Sequence, residues 1–327
     1  MITRRDFLVS LGAGALGAPL AAFAQQPGKM RRIGFLSSAS ASSYGHRVEA
    51  LRAGLRDLGY VEGRNIAFEF RWAEGNYKRL PELAAELVRL KVDIIYTHGT
   101  PGAQAAKNAT TTIPIIVAAV SDPVATGLVA SLRQPGGNVT GLMFFTQELN
   151  EKRLELVREI FPKARRVAIL ANADNESMKA IMPALESTAK TLKLEFRRFD
   201  VRGRADFGNA FSEMAAWRAE AIVPIEDALL IANDKDLVDQ SAKRNIPIIG
   251  WNEIAEKGGF LAYGVDFIDI SRRSAGYVDR IFKGAKPADL PVDRSTKYEL
   301  VINMKTVKAL GVKLPQSVLV RADRVIE

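Results

Sequence analysis

The residues most able to do chemistry are short polar clusters, each placed directly after an apolar run. Ser37-Ser38-Ala39-Ser40, Thr97-His98-Gly99-Thr100 and Val120-Ser121-Asp122 stand in the first half of the chain. Asn172-Ala173-Asp174-Asn175, Glu226-Asp227 and Trp251-Asn252 stand in the second. Hydroxyls, amides and carboxylates of this kind grip a small polar molecule by hydrogen bonds. Glu226 and Asp227 are neighbours in sequence, which does not make them an acid/base pair. No nucleophile elbow, Cys/His pair, phosphate loop or metal signature accompanies them.

The elements that must position these clusters alternate between short β-rich runs and amphipathic stretches. IGFLS (33–37), NIAFEFRW (65–72), VDIIYT (92–97) and IPIIVAAV (113–120) predict strands. Between them YGHRVEALRAGLRDLG (44–59), YKRLPELAAELVRL (77–90) and PGAQAAKNA (101–109) predict helices. Apolar runs without polar alternation suit parallel strands covered on both faces, a doubly wound α/β unit. The second half repeats the first. RRIGFLSSAS and RRVAILANAD begin at Arg31 and Arg165, VDIIYTHGT and AEAIVPIED at Val92 and Ala219, and the two IPII phrases at Ile113 and Ile246. These spacings of 134, 127 and 133 residues, in the same order, predict two similar lobes. Open parallel sheets bind ligands beyond the carboxyl ends of their strands, so the polar clusters are expected to line a cleft between the lobes. The expected lobes are 31–143 with about 265–292, and 144–264 with about 293–327, with crossings near Phe144, Gly264 and Asp293.

Composition narrows the function. The 327 residues include 46 Lys and Arg against 37 Asp and Glu, a net charge of +9, but the charges are dispersed without a basic run or an aromatic-and-basic stripe. Nucleic acid is therefore not expected as a partner. The chain has no cysteine and only His46 and His98 as imidazoles, which argues against disulfides, thiolate chemistry and a transition-metal centre; no metal or cofactor is expected. The opening MITRRDFLVSLGAGALGAPLAAFAQQ has a basic start, a short apolar run and small residues at Ala22 and Ala24 before Gln25. That is the pattern of an export signal over residues 1–24. Thr3-Arg4-Arg5-Asp6-Phe7-Leu8 resembles a twin-arginine motif, with a Sec signal as the alternative. No later segment is long and apolar enough to span a bilayer, so the mature chain is expected to be periplasmic.

TPGAQA (100–105), VSDPVATGLVASLRQPGGNVTG (120–141) and YGVDFIDISRRSAGYVDRIFKGAKPADLPVDRSTKYELVINMKTVKALG (263–311) resemble ABC-transporter substrate-binding proteins of the tryptophan/tyrosine-binding type. The resemblance covers essentially the whole mature chain. It implies a fold like the type I periplasmic binding proteins, two lobes joined by three crossing segments. It also implies a monomer that closes on a small-molecule solute and delivers it to a membrane ABC permease with its ATPase. A ligand-sensing domain or an extracytoplasmic enzyme on the same two-lobe fold is the alternative.

For an amino acid or related carboxylate, the first-lobe groups Ser38, Thr100 and Ser121, with helix N-termini, suit the carboxylate. Glu226 or Asp227 suits the ammonium. The resemblance implies Pro-Thr-Asp-Asn at 224–227, where this chain reads Pro224-Ile225-Glu226-Asp227. Asn172 matches the asparagine of a Tyr-Asn-Pro loop, with Ala173 in place of the proline. Tyr44 and Trp251 are candidates to stack on a flat or aliphatic group, with core packing as the alternative. Asp122 precedes Pro123 and reads as the N-cap of a helix through VATGLVASL, with Thr100-Pro101 as a second cap. Asp227 reads as a ligand group or the cap of a helix through ALLIANDKDLVDQSAKR. His98 reads as a polar loop residue and Asp266 as a hinge-positioning one.

Overall fold

The computed structural model describes residues 30–295 and 297–327, so the export-signal segment 1–24 lies outside the described residues. The chain first lays down β1 (Arg31–Ser37), α1 (Ala41–Asp57), β2 (Ile66–Trp72), α2 (Leu80–Arg89), β3 (Ile94–His98), α3 (Gly99–Ala109), β4 (Ile115–Val120) and β5 (Val139–Met143). A second run follows: α4 (Thr146–Ile160), β6 (Arg166–Asn172), α5 (Met178–Thr191), β7 (Glu195–Val201), α6 (Phe207–Ala216), β8 (Ala221–Pro224), α7 (Ala228–Ala232), α8 (Asp234–Lys243), β9 (Ile249–Gly250), α9 (Asn252–Glu256) and β10 (Leu261–Val265). The chain then goes back for α10 (Phe267–Phe282) and β11 (Asp293–Arg294), and ends with β12 (Tyr298–Asn303), α11 (Met304–Ala309), α12 (Gln316–Val320) and β13 (Arg324–Ile326).

The first lobe holds one sheet of order β11-β5-β4-β3-β1-β2, parallel throughout. In the second lobe β7-β6-β8 and β9-β10-β12-β13 are joined by a parallel bridge between Ile222 and Ile248. The succession β7-β6-β8-β9-β10 therefore reproduces β2-β1-β3-β4-β5, strand for repeated strand. Beyond it the lobes diverge: β12 runs antiparallel to β10, whereas β11 runs parallel to β5. Ile33, Phe35, Leu36, Ile94, Ile95, Ile115 and Ile116 are fully buried, as strands covered on both faces require.

Three passages link the lobes, between Met143 and Thr146, Val265 and Phe267, and Arg294 and Tyr298. The third falls later than Asp293, because Asp293 and Arg294 pair with Leu142 and Met143 in the first-lobe sheet. Three local expectations also need correction. No helix follows Asp122-Pro123; residues 123–127 form a turn, with Gly127 at φ 68°. α3 begins at Gly99, so Thr100 sits inside its first turn and does not cap it. The stretch after Asp227 is two helices, broken at Asn233.

α10 fastens the returning chain to the first lobe by packing along α1, and Gly54 permits that approach. A Cβ there would overlap the Arg272 carbonyl oxygen and come within 2.9 Å of the Ala275 Cβ, whereas a Cβ at Gly45 of the same helix meets nothing within 4 Å. Helix propensity alone favours Ala over Gly by about 1 kcal/mol, and overpacking costs about 1–3 kcal/mol. Chemical denaturation should therefore show Gly45→Ala neutral or stabilising and Gly54→Ala destabilising. A gain in stability from Gly54→Ala would contradict the packing described.

Candidate functional site

The carboxyl ends of the strands face one cavity between the lobes. From the first lobe it is lined by Ser38, Ser43, Tyr44, Arg47, Tyr77, His98, Thr100 and Ser121, and from the second by Asn175, Ser177, Met178, Glu226 and Asp227. Phe144, Thr146 and Phe267, at two of the passages, line it as well.

On the first-lobe wall, His98 ends β3 and is 4% exposed. Its Nε2 lies 2.8 Å from the Ser37 hydroxyl, which also accepts from the Ala39 N–H at 3.0 Å. The imidazole stacks on Tyr44 with ring centroids 3.8 Å apart. Burial, with the positive charge of Arg47 adding to it, pushes the His98 pKa down to about 3. His98 is thus a neutral, packed wall residue at ordinary pH.

The second-lobe wall centres on Asp227, which is 4% exposed and caps α7 through the Leu229 N–H at 2.9 Å. The same Oδ1 accepts from the Asn172 amide at 3.0 Å. Its Oδ2 accepts from the Asn175 amide at 2.8 Å and from the Tyr77 hydroxyl at 2.8 Å. Four donors occupy the carboxylate, none of them cationic, and Tyr77 belongs to the opposite lobe. Burial raises the Asp227 pKa, and the bonds from Asn172, Tyr77 and Asn175 oppose that rise. Burial and the facing carboxylate together push the Tyr77 phenol well up, so it stays a donor.

Glu226 is a different acid. Its Oε1 pairs with the guanidinium of Arg153, a fully buried residue of α4, and its Oε2 accepts from the Asn150 amide at 3.1 Å. Arg153 also donates to the Tyr263 carbonyl at 2.9 Å, beside the β10 passage, and to the Asn150 side-chain oxygen at 3.0 Å. Removing one partner would strand a buried charge, so the group acts as a rigid strut. Glu226 consequently offers the cavity an acceptor and no net charge.

Of the expected site residues, Ser38, Tyr44, Thr100, Ser121, Glu226 and Asp227 meet at the cavity. Three do not line it. Asp122 accepts the Val124 and Ala125 N–H groups, both at 3.0 Å, and so holds the turn. Asn172 orients Asp227 and accepts the Asp174 N–H at 3.0 Å. Trp251 is fully buried in the core, which favours packing over stacking on a solute. Asp266 caps α10 through the Ile268 and Asp269 N–H groups. Tyr77, Arg47 and Arg153 were not expected. Arg47 and Arg153 stand on apolar helix faces, beside Leu51 and Leu149 four residues away, and that misplaced charge is a readable signal. Tyr77, in a 3₁₀ turn, carries none.

Comparison with known proteins agrees with this geometry. The sequence pattern described as "ABC transporter substrate binding protein" matches residues 33–326. A "Tyrosine-binding protein" of Clostridioides difficile (strain R20291) is 32% identical over 287 residues, covering 87% of this chain and 82% of that protein. The chain belongs to the ABC transporter substrate-binding proteins. This family is extracytoplasmic, its members bind small-molecule solutes and work with a membrane permease, and the fold is like that of the type I periplasmic binding proteins. Among solved members, a Streptococcus pneumonia domain in complex with L-Trp is 27% identical and superposes with a TM-score of 0.82, covering 90% of this chain and 100% of that one. A ligand-free, open substrate-binding protein from Clostridium difficile is 26% identical but superposes at 0.64, covering 91% and 99%. Among the described residues of this substrate-binding protein, no helix is long and apolar enough to cross a membrane.

His98 gives the wall a pH signature. Its native pKa lies below the unfolded value of about 6.5, so the unfolded chain binds the proton more readily and stability is lost as pH falls below that value. Between pH 7 and 5 the His98 contribution amounts to about 2 kcal/mol. His98→Gln should flatten the decline in denaturation midpoint over that range relative to the wild type. An unchanged slope would contradict a neutral, buried imidazole.

Proposed function

We propose that this protein is the periplasmic solute-binding component of an ABC importer, which closes around one amino acid or related carboxylate and presents it to a membrane permease driven by an ATPase. The export signal read over residues 1–24, twin-arginine in type, supports the location. The mature chain acts as a monomer and without catalysis. L-Trp in the Streptococcus complex and tyrosine in the name of the Clostridioides relative favour an aromatic amino acid as the solute.

The observation that carries the reading is the Tyr77–Asp227 hydrogen bond, because it joins the lobes at the cavity itself. A ligand shifts a conformational equilibrium only by binding one state better than the other. Asp227 has no cation in its shell, so a solute ammonium supplies what the amides and the phenol do not. It gains most when Tyr77 closes on Asp227 and the first-lobe hydroxyls of Ser38, Thr100 and Ser121 close over the other end of the solute.

Isothermal titration of residues 25–327 with L-tyrosine, L-tryptophan and L-leucine tests this directly. At least one should bind saturably at one per chain, and Asp227→Asn should weaken it by about tenfold or more, the scale of a hydrogen bond to a charged group. Absence of binding by all three, or an unaffected Asp227→Asn variant, would contradict the assignment.

A further inference from the structure

Among the described residues, Arg47 is the one cationic side chain lining the cavity; its guanidinium reaches the Tyr44 hydroxyl and Glu253, and its Nε has no partner. The residue is 3% exposed. Its Nη2 donates to Glu253 Oε1 at 2.9 Å, a single-pronged pairing with α9 of the other lobe, and its Nε is buried with no partner. A guanidinium has five N–H donors in a rigid fork that matches a carboxylate two-pronged. The fork is held in place by two rings, its central carbon lying 4.4 Å from the Phe267 centroid and 5.0 Å from that of Tyr44. Both rings also line the cavity.

The other charges at the site are already answered. Arg153 is consumed by Glu226, and His98 is neutral. Asp227 has donors but no cation, and stands on the second-lobe wall. A zwitterion placed between Asp227 and Arg47 would leave each of its poles beside an opposite charge. A solute with an ammonium and no carboxylate would leave the buried Arg47 Nε without an acceptor, which is costly.

We propose that Arg47 is the specificity-determining residue for the solute's carboxylate, its free Nε edge receiving a carboxylate oxygen while Nη2 keeps Glu253. This rests on the carboxylate-solute reading above, and it makes the site select acids over the corresponding amines. The Glu253 bond makes Arg47 a link between lobes as well, so the test must separate recognition from closure.

Calorimetry with L-tyrosine, tyramine and 3-(4-hydroxyphenyl)propionate does so, because the three share one ring and differ only in the charged ends. Wild type should prefer L-tyrosine to tyramine by at least about tenfold. Arg47→Met should bring that ratio close to one, chiefly by weakening L-tyrosine, and Glu253→Gln should leave the ratio standing. Should Arg47→Met fail to fold, Arg47→Lys, which keeps the charge but not the fork, should still reduce the ratio severalfold. A ratio unchanged by the Arg47 variant would overturn the proposal. So would equal weakening of all three compounds by the Arg47 and Glu253 variants, since that is the signature of a latch alone. If wild type binds the propionate but no amino acid, and Arg47→Met abolishes that binding, the amino-acid reading fails and Arg47 keeps its role. If wild type binds neither acid and none of the other amino acids titrated above, both fall.

Discussion

A carboxylate buried without a cation is the constraint around which the cleft is built. Ionised Asp227 would be costly to withdraw from water unless every oxygen were met by a donor. The four donors come from separate places: Asn172 at the end of β6, Asn175 in the loop beyond it, the Leu229 backbone, and Tyr77 in the other lobe. Three of them belong to the second lobe and stay with Asp227 whatever the lobes do. The fourth comes from the opposite lobe and crosses the cavity, so the position of one lobe against the other enters the hydrogen bonding of this one carboxylate.

The neighbouring acid shows how position changes the use of the same chemistry. Glu226 precedes Asp227 in the chain, yet its side chain is tied to Arg153 and Asn150 of α4. Arg153 continues to the carbonyl of Tyr263, where β10 leads into the second passage. The floor of the cavity and one passage between the lobes are therefore parts of the same hydrogen-bonded unit. Pairs of this kind add little net stability, but they fix geometry, and fixed geometry is what a hinge beside a binding site needs.

Much of the architecture was legible in the sequence because a parallel α/β lobe is written in apolar strand phrases, and this chain writes them twice. The phrases at Arg31 and Arg165, Val92 and Ala219, and Ile113 and Ile246 fall on equivalent strands, and all the clusters after them except Trp251-Asn252 reach the cavity. What was not legible depended on competition between local and tertiary effects. Asp122-Pro123 has the residues of a helix start, but the Thr126 hydroxyl bonds back to the Asp122 carbonyl and Gly127 turns left-handed, so the segment is a turn. Trp251 follows a strand as a cleft residue would, yet it points into the core. Tyr77 reaches Asp227 across 150 positions of sequence, a contact set by the juxtaposition of the two lobes and by no local pattern.

Solute should hold the two lobes together through contacts at Asp227. The chain has no cysteine, so spin labels can be attached cleanly at Lys78→Cys and Arg204→Cys, exposed positions on opposite sides of the outer groove. Pulsed electron paramagnetic resonance would then report the distance between lobes with and without the amino acid that binds. Solute should shorten and narrow this distance, and Tyr77→Phe should broaden it again while solute is still bound. One distance distribution, the same with and without bound solute and in both backgrounds, would contradict this.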